Sequence, residues 1–142
     1  IAAPEAAQTG LELSPGEMVA MMERIRYVDD QPMVLEKWYA PMKYFPGLER
    51  GLFQETGLEQ STYYVMVKRF GMTITRAEDT IIPVAIEPRE AKLLNVASGT
   101  PVLLRTRISF NAEGRPVNLA IGQYLVRLRF ILEGNRTYSS VH

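Results

Sequence analysis

The chain has 142 residues, of which 46% are hydrophobic and 23% charged, and these values are typical of one folded globular domain. Its 16 basic and 16 acidic residues balance, which argues against direct nucleic-acid binding and favours self-association. Cysteine is absent and the single histidine is the last residue, His142, which argues against thiolate or His-rich metal sites and a Ser-His-Asp triad. We therefore predict no metal and no cofactor. No apolar run approaches the ~20 residues of a membrane helix, so no membrane contact is predicted either.

Residues 1–16 are small and contain Pro and Gly, a composition typical of a linker followed by a turn, so the folded domain is predicted to begin near Glu17. The first residues are Ile-Ala-Ala-Pro-Glu and not Met, which favours a fragment of a longer protein. Alternating apolar residues predict a strand over 18–28. A turn at 29–32 then leads into a second strand over 33–39, and the two are predicted to form an antiparallel hairpin.

The second half of the chain predicts a helix over 62–70, with Ser61 as its N-cap and Gly71 as the left-handed residue that ends it. Strands are predicted over 73–84, 102–110, 116–125 and 128–133, and a short helix over 89–94 with Pro88 in its first turn. Strands outnumber helices and most are linked by hairpins. The predicted fold is therefore α+β, with a predominantly antiparallel sheet and short helices.

Arg24 and Arg26 are the first candidate for binding chemistry, because a spacing of two places both side chains on one face of a strand. Two guanidinium groups can bind one phosphate or carboxylate. The alternative is that both arginines pair with Asp or Glu across the strand. Arg105 and Arg107 have the same spacing, and the pattern alone does not choose between the two pairs.

Ser61 and Tyr63 are the second candidate, since free N–H groups and the dipole at a helix start favour an anion, and both side chains carry hydroxyls. The alternative is a simple capped helix with a core tyrosine. Glu36 and Tyr124 are polar groups at which a cleft could lie. A solvated sheet edge would explain Glu36 equally well, and a packed core would explain Tyr124.

Read in order, these segments resemble the UTRA domain, the effector-binding half of the HutC branch of GntR-type bacterial regulators. The resemblance covers the span from Glu17 to Phe130. It depends on the order and spacing of short motifs, which are Glu23-Arg24-Ile25-Arg26, Asp29-Asp30-Gln31-Pro32, Glu36-Lys37-Trp38-Tyr39-Ala40-Pro41, Pro46-Gly47-Leu48, Ser61-Thr62-Tyr63, Phe70-Gly71, Leu93-Leu94-Asn95-Val96, Gly99-Thr100-Pro101-Val102-Leu103, Gly114-Arg115-Pro116-Val117, Tyr124 and Arg129-Phe130.

The resemblance implies a chorismate-lyase-like fold over residues 17–142. It also implies an interdomain linker remnant over 1–16 and a winged helix-turn-helix domain, absent from this chain, that would contact DNA. Family members sense urocanate, phosphosugars and other small acids and act mostly as dimeric repressors released by the effector. The pocket residues of the family correspond here to Arg24, Arg26, Glu36, Ser61, Tyr63 and Tyr124. One departure is Asn118, which replaces a glutamate of phosphosugar-sensing relatives and puts an amino-sugar ligand in doubt.

Two functions from different classes follow. The preferred hypothesis is a non-catalytic sensor domain of a cytoplasmic homodimeric repressor, in which Arg24, Arg26, Glu36, Ser61, Tyr63, Asn118 and Tyr124 bind a small anionic effector, an organic acid such as urocanate or a phosphosugar. The alternative is a chorismate-lyase-type enzyme on the same fold, with Glu36 as its acid. A third hypothesis makes the domain a dimerisation element only.

Overall fold

A computed structural model describes residues 1–52 and 62–127, together with residues 129 and 131. Within these ranges the helices are α1 (Glu5–Leu11), α2 (Thr62–Tyr64) and α3 (Pro88–Leu93), with a 3₁₀ turn at Arg50–Leu52. α2 continues directly into a π-helical stretch, Val65–Arg69. The strands are β1 (Val19–Val28), β2 (Gln31–Pro41), β3 (Ile74–Ala85), β4 (Pro101–Asn111) and β5 (Pro116–Tyr124).

The five strands form one antiparallel sheet in the order β1-β2-β5-β4-β3. β1 and β2 are joined by a two-residue loop, Asp29-Asp30, whose φ angles of 49° and 62° fit the type I′ turn that matches the twist of antiparallel strands. β4 and β5 form a second hairpin, and β5 pairs with β2 at the centre of the sheet. The predicted α+β class and antiparallel hairpins are confirmed. Residues 128, 130 and 132–142, which include most of the predicted last strand, lie outside the described residues.

Each face of the sheet is covered by different helices, and we name the faces accordingly. On the α1 face, Tyr39 and Leu119 pack with Ala7 and Leu11 of α1, while α3 packs against Leu35 and its neighbours further along. On the α2 face, a buried cluster brings the helix against the strands and the loop after β2, and it contains Trp38, Ala40, Phe45, Met66 and Val117. From Leu119 onward along β5, and along β2, residues of one parity therefore point to α1 and α3 and those of the other parity point to α2. Val117 lies beside the irregularity at the start of β5 and joins the α2 cluster.

The prediction that the folded domain begins near Glu17 is wrong. Residues 5–11 form α1, and Ala7 and Leu11 are buried against the sheet. Ala2 also forms a β-bridge with Met18, so the residues before α1 are paired with the start of the sheet. The physical reason is that Ala7 and Leu11, four residues apart, lie on one side of α1, and that Ala3, just before the helix, packs into the same cluster.

The helical segment formed by α2 and the π-helical stretch Val65–Arg69 ends at Gly71, as predicted. Gly71 has a φ of +64°, and its N–H donates to the Val67 carbonyl at 3.0 Å. Only a residue that tolerates the left-handed region closes a helix in this way at little cost, which is why glycine is favoured there. Pro88 begins α3, as its missing N–H predicts.

Candidate functional site

Six charged side chains lie together on the α2 face, and we call them the polar cluster. They are Arg24 and Arg26 of β1, Glu36 of β2, Asp79 of β3, and Arg105 and Arg107 of β4. The register explains their common face: Arg24 pairs with Glu36, Glu36 with Gly122, and Gly122 with Arg105, so these four residues form one row across the sheet. Arg107 and Asp79 are also directly paired one row away. Such cross-strand partners project to the same side of a sheet.

Glu36 holds the two arginines of β1. Its Oε1 accepts a hydrogen bond from Arg24 Nη2 at 3.1 Å, and its Oε2 lies 3.5 Å from Arg26 Nη2. The side chains of Glu36 and Arg24 are 11% and 19% exposed, whereas that of Arg26 is 53% exposed. Glu36 is therefore not a solvated edge residue. The carboxylate is the charged partner of both guanidinium groups, and Arg26 remains half open to solvent.

Asp79 holds the second pair of arginines. Its carboxylate accepts two hydrogen bonds from Arg107, at 2.7 and 2.8 Å, and lies 3.5 Å from Arg105 Nη2. Burial acts to raise the pKa of Asp79, but the hydrogen bonds and charges of Arg107 and Arg105 outweigh it and hold this pKa below its usual 3.8. Burial likewise acts to lower the pKa of Arg107, and its contacts with Asp79 and Tyr63 outweigh that effect and raise it. The pair is thus charged at neutral pH.

Tyr63 of α2 contacts the sheet beside this second pair. Its hydroxyl lies 2.8 Å from the Ser109 hydroxyl, and Ser109 is completely buried. Asn118 pairs with Ser109 across β4 and β5 and is 3% exposed. In the described part of the chain, the Oδ1 atom of Asn118 has no hydrogen-bond partner. A buried acceptor without a partner is costly, so a donor that reached this oxygen would relieve that cost.

Tyr124, at the end of β5, is 8% exposed and lies over Gly122. A Cβ built on Gly122 would be 2.5 Å from Cε2 and 3.0 Å from the hydroxyl oxygen of Tyr124. The ring therefore occupies the place that a side chain at position 122 would take, between Glu36 and Arg105 in the row.

Six of the seven predicted ligand-binding residues can be located. Arg24 and Arg26 both contact Glu36, the ring of Tyr124 lies over Gly122, and Tyr63 and Asn118 lie beside Ser109. Ser61 lies outside the described residues. The sequence reasoning considered Arg105 and Arg107 but did not relate them to β1, and it missed Asp79 and Ser109. The period of two in Arg105, Arg107 and Ser109 was the available signal for a polar face on β4.

A concavity lies beside α1, on the face of the sheet opposite the polar cluster. It is lined by Glu5, Ala6, Thr9, Gly10, Thr106, Ile108, Leu119 and Ile121. Its one charged lining residue is an acid, so it does not suit an anion. Among the described residues, no group of three His, Cys, Asp or Glu side chains could hold a metal ion. No helix in the described ranges is long and apolar enough to cross a membrane.

Comparison with protein families gives one match, to the UTRA domain, over residues 1–126. The chain is 30% identical over 115 residues to the mannosyl-D-glycerate transport/metabolism system repressor MngR of Escherichia coli, covering 81% of this chain and 46% of that protein. It is also 30% identical over 103 residues to the HTH-type transcriptional repressor PhnF of Mycolicibacterium smegmatis, covering 72% and 40%. The chain thus spans less than half the length of these relatives.

Solved structures are similar as well, and two examples show the extent of their overlap with this chain. The ligand-binding domain of a protein from Bordetella bronchiseptica, assigned to the GntR family of transcriptional regulators, superposes with a TM-score of 0.83 at 30% identity, covering 94% of this chain and 83% of that one. The effector domain of PhnF from Mycobacterium smegmatis superposes with a TM-score of 0.71 at 27% identity, covering 87% and 74%.

Proposed function

Since the chain belongs to the UTRA domain family, we propose that it is the effector-binding domain of a GntR-type bacterial transcription regulator of the HutC branch, and that its polar cluster binds a small anion. The observation that carries this proposal is that four guanidinium groups lie together on one side of the sheet, and that one of them, Arg26, is 53% exposed to solvent. Clustered arginines of this kind suit a phosphate or carboxylate ligand.

Arg26 and Arg24 are the proposed anion-binding pair. Arg26 is 53% exposed and so is open to a ligand from solvent, while Arg24 is held in place by its 3.1 Å bond to Glu36. Arginine binds phosphate and carboxylate oxygens through charge-assisted hydrogen bonds with fixed directions. A ligand anion on this pair would share the arginines with Glu36 or take its place.

The remaining predicted residues would bind the rest of the effector. Tyr63 lies in α2, and Ser61 precedes that helix in the sequence. Asn118 offers its buried Oδ1, and Tyr124 offers a hydroxyl above Gly122. These residues offer both hydrogen-bond donors and acceptors, which favours a ligand that carries hydroxyl or ring nitrogen groups besides its phosphate or carboxylate. Phosphosugars and small organic acids such as urocanate meet this description.

The whole regulator is proposed to be a cytoplasmic homodimeric repressor that contacts DNA through a winged helix-turn-helix domain and is released by its effector. Support comes from relatives that are named repressors and are more than twice as long as the matched segment. For release to occur, the effector must bind one state of the dimer better than the other, with a coupling of typically ~1–3 kcal/mol.

An enzyme of the chorismate-lyase type is the weaker alternative. Its proposed acid, Glu36, is 11% exposed and is engaged by two arginines, so its carboxyl group is an ion-pair partner and is not presented to a substrate. The named relatives are regulators as well. The non-catalytic role is therefore the one that we propose.

A thermal-shift screen followed by calorimetry tests the proposal, with inorganic phosphate, phosphosugars and urocanate as ligands. A ligand at 100 times its Kd stabilises the folded state by about 2.7 kcal/mol, a readily measured shift. The expected result is a saturable shift for at least one anion, reduced at high salt. Complete insensitivity to every anion in the panel would refute an anion-binding site.

A further inference from the structure

We propose that Gly122 is a positioning residue of this site: the absence of a side chain there lets the Tyr124 ring lie flat over β5 and places its hydroxyl between Glu36 and Arg105. This inference rests on the proposed anion-binding function and deepens it. It assigns a role to a glycine that carries no chemistry of its own.

The first support is steric. A Cβ at position 122 would be 2.5 Å from Tyr124 Cε2 and 3.0 Å from both Cζ and the hydroxyl oxygen. Carbon atoms that are not bonded do not approach to 2.5 Å, so any side chain at this position would move the ring. The neighbouring atoms belong to the rigid ring and not to the end of a flexible chain, so the displacement would be of the whole side chain.

The second support is the register. Gly122 pairs with Glu36 on one side and with Arg105 on the other, at the centre of the sheet. Adjacent strands are about 4.8 Å apart, so a hydroxyl above Gly122 lies within reach of groups on both neighbouring strands. The Glu36 carboxylate, the Tyr124 hydroxyl and the Arg105 guanidinium thus follow one another across the row.

The third support is that glycine is a poor choice in a strand interior, where it weakens the strand and usually marks a bulge or a close approach. The pairing of β5 with β2 and β4 shows no register shift around Gly122. Its φ is not in the positive range. The close approach of Tyr124 is therefore the remaining reason for glycine at this position.

The test follows Tyr124 directly in protein labelled with 3-fluorotyrosine, whose seven tyrosine signals are assigned at this position by Tyr124→Phe. We expect Gly122→Ala to shift the fluorine signal of Tyr124 and to abolish its response to added inorganic phosphate. Gly10→Ala is the matched control, because a Cβ there would meet Leu119 at an ordinary 3.5 Å. It should leave the signal of Tyr124 and its response unchanged.

A double-mutant comparison separates positioning from a general loss of folding. In urea unfolding, Gly122→Ala should lower the midpoint when residue 124 is Tyr and should not lower it in a Tyr124→Ala background. An unmoved Tyr124 signal in Gly122→Ala, or an equal loss of midpoint in both backgrounds, would overturn the inference. If the unmodified domain binds no anion of the panel, the proposed function fails, and the position of the Tyr124 signal and the double-mutant comparison alone decide the role of Gly122.

Discussion

Replacing Arg26 by alanine should weaken anion binding strongly and leave the stability of the domain almost unchanged. The guanidinium of Arg26 is 53% exposed, and its contact with Glu36 is long, at 3.5 Å. Exposed ion pairs contribute only about 0–1 kcal/mol to folding. A charge-assisted hydrogen bond to a bound anion contributes about 1.5–3 kcal/mol, so losing it should weaken binding roughly tenfold to a hundredfold.

Arg24→Ala should reduce both the affinity for the anion and the stability of the domain. Arg24 is 19% exposed and donates to Glu36 at 3.1 Å, so its removal leaves a mostly buried carboxylate with only the longer Arg26 contact. Leaving a buried polar group without its partner costs about 1–3 kcal/mol. The structure therefore predicts that the two variants differ in stability although they share a loss of affinity.

Urea unfolding and phosphate calorimetry on the two variants give both numbers, with Arg89→Ala as the matched control. Arg89 is 58% exposed and pairs with Glu23 at 2.8 Å on the opposite face of the sheet, so the same loss of charge occurs away from the polar cluster. Its affinity for phosphate should equal that of the unmodified domain. The reasoning is refuted if Arg26→Ala binds phosphate normally, or if Arg89→Ala loses as much affinity as Arg26→Ala.

Three further outcomes are expected. Asp79→Asn should lower the free energy of unfolding by about 1–3 kcal/mol at pH 7, because two buried arginines lose this carboxylate. The folded-state pKa of Asp79 lies below 3.8, so the contribution is present above about pH 4 and is lost as the pH falls through the lowered pKa. An equal effect of the substitution on urea unfolding at pH 7 and at pH 3 would contradict this prediction. Leu11→Ala should destabilise the domain by about 2–5 kcal/mol, because Leu11 is 2% exposed in the core under α1, and a change below 0.5 kcal/mol in urea unfolding would mean that α1 is not part of the core. Sedimentation should show a homodimer, as expected of a regulator that binds paired half-sites, and a monomer at high micromolar concentration would count against this.

The strands could be predicted from the sequence because their signals are local. Alternation over 18–28 and 102–110, the Asp29-Asp30 turn and Gly71 each depend on a few neighbouring residues. α1 was missed although its signal was also local, because alanines at positions 3 and 7 are weak markers of a buried face. Their burial depends on what the sheet presents to them, which the segment itself does not state.

The candidate site was only partly predictable, for a different reason. The spacing of Arg24 and Arg26 gives their common face, and the structure shows that both pair with Glu36, which is the alternative that the pattern left open. The spacing does not reveal that Arg105 faces the same side, because this depends on β5 lying between β2 and β4. Strand order is set by contacts between distant parts of the chain, so Asp79 and Gly122 could not be linked to Glu36 beforehand.

The pairing of β2 with β5 also has a consequence for the order of folding. The hairpins β1-β2 and β4-β5 close loops of only a few residues. Pairing β2 with β5 joins Tyr39 to Leu119 and so closes a loop that contains the whole segment between residues 39 and 119. Long loops cost more entropy to close, so we expect this central pairing to form after the two hairpins. Glu36 and Gly122 meet across it. A ligand that binds both sides of the row therefore stabilises contacts that form late, and by that logic it slows unfolding without speeding folding.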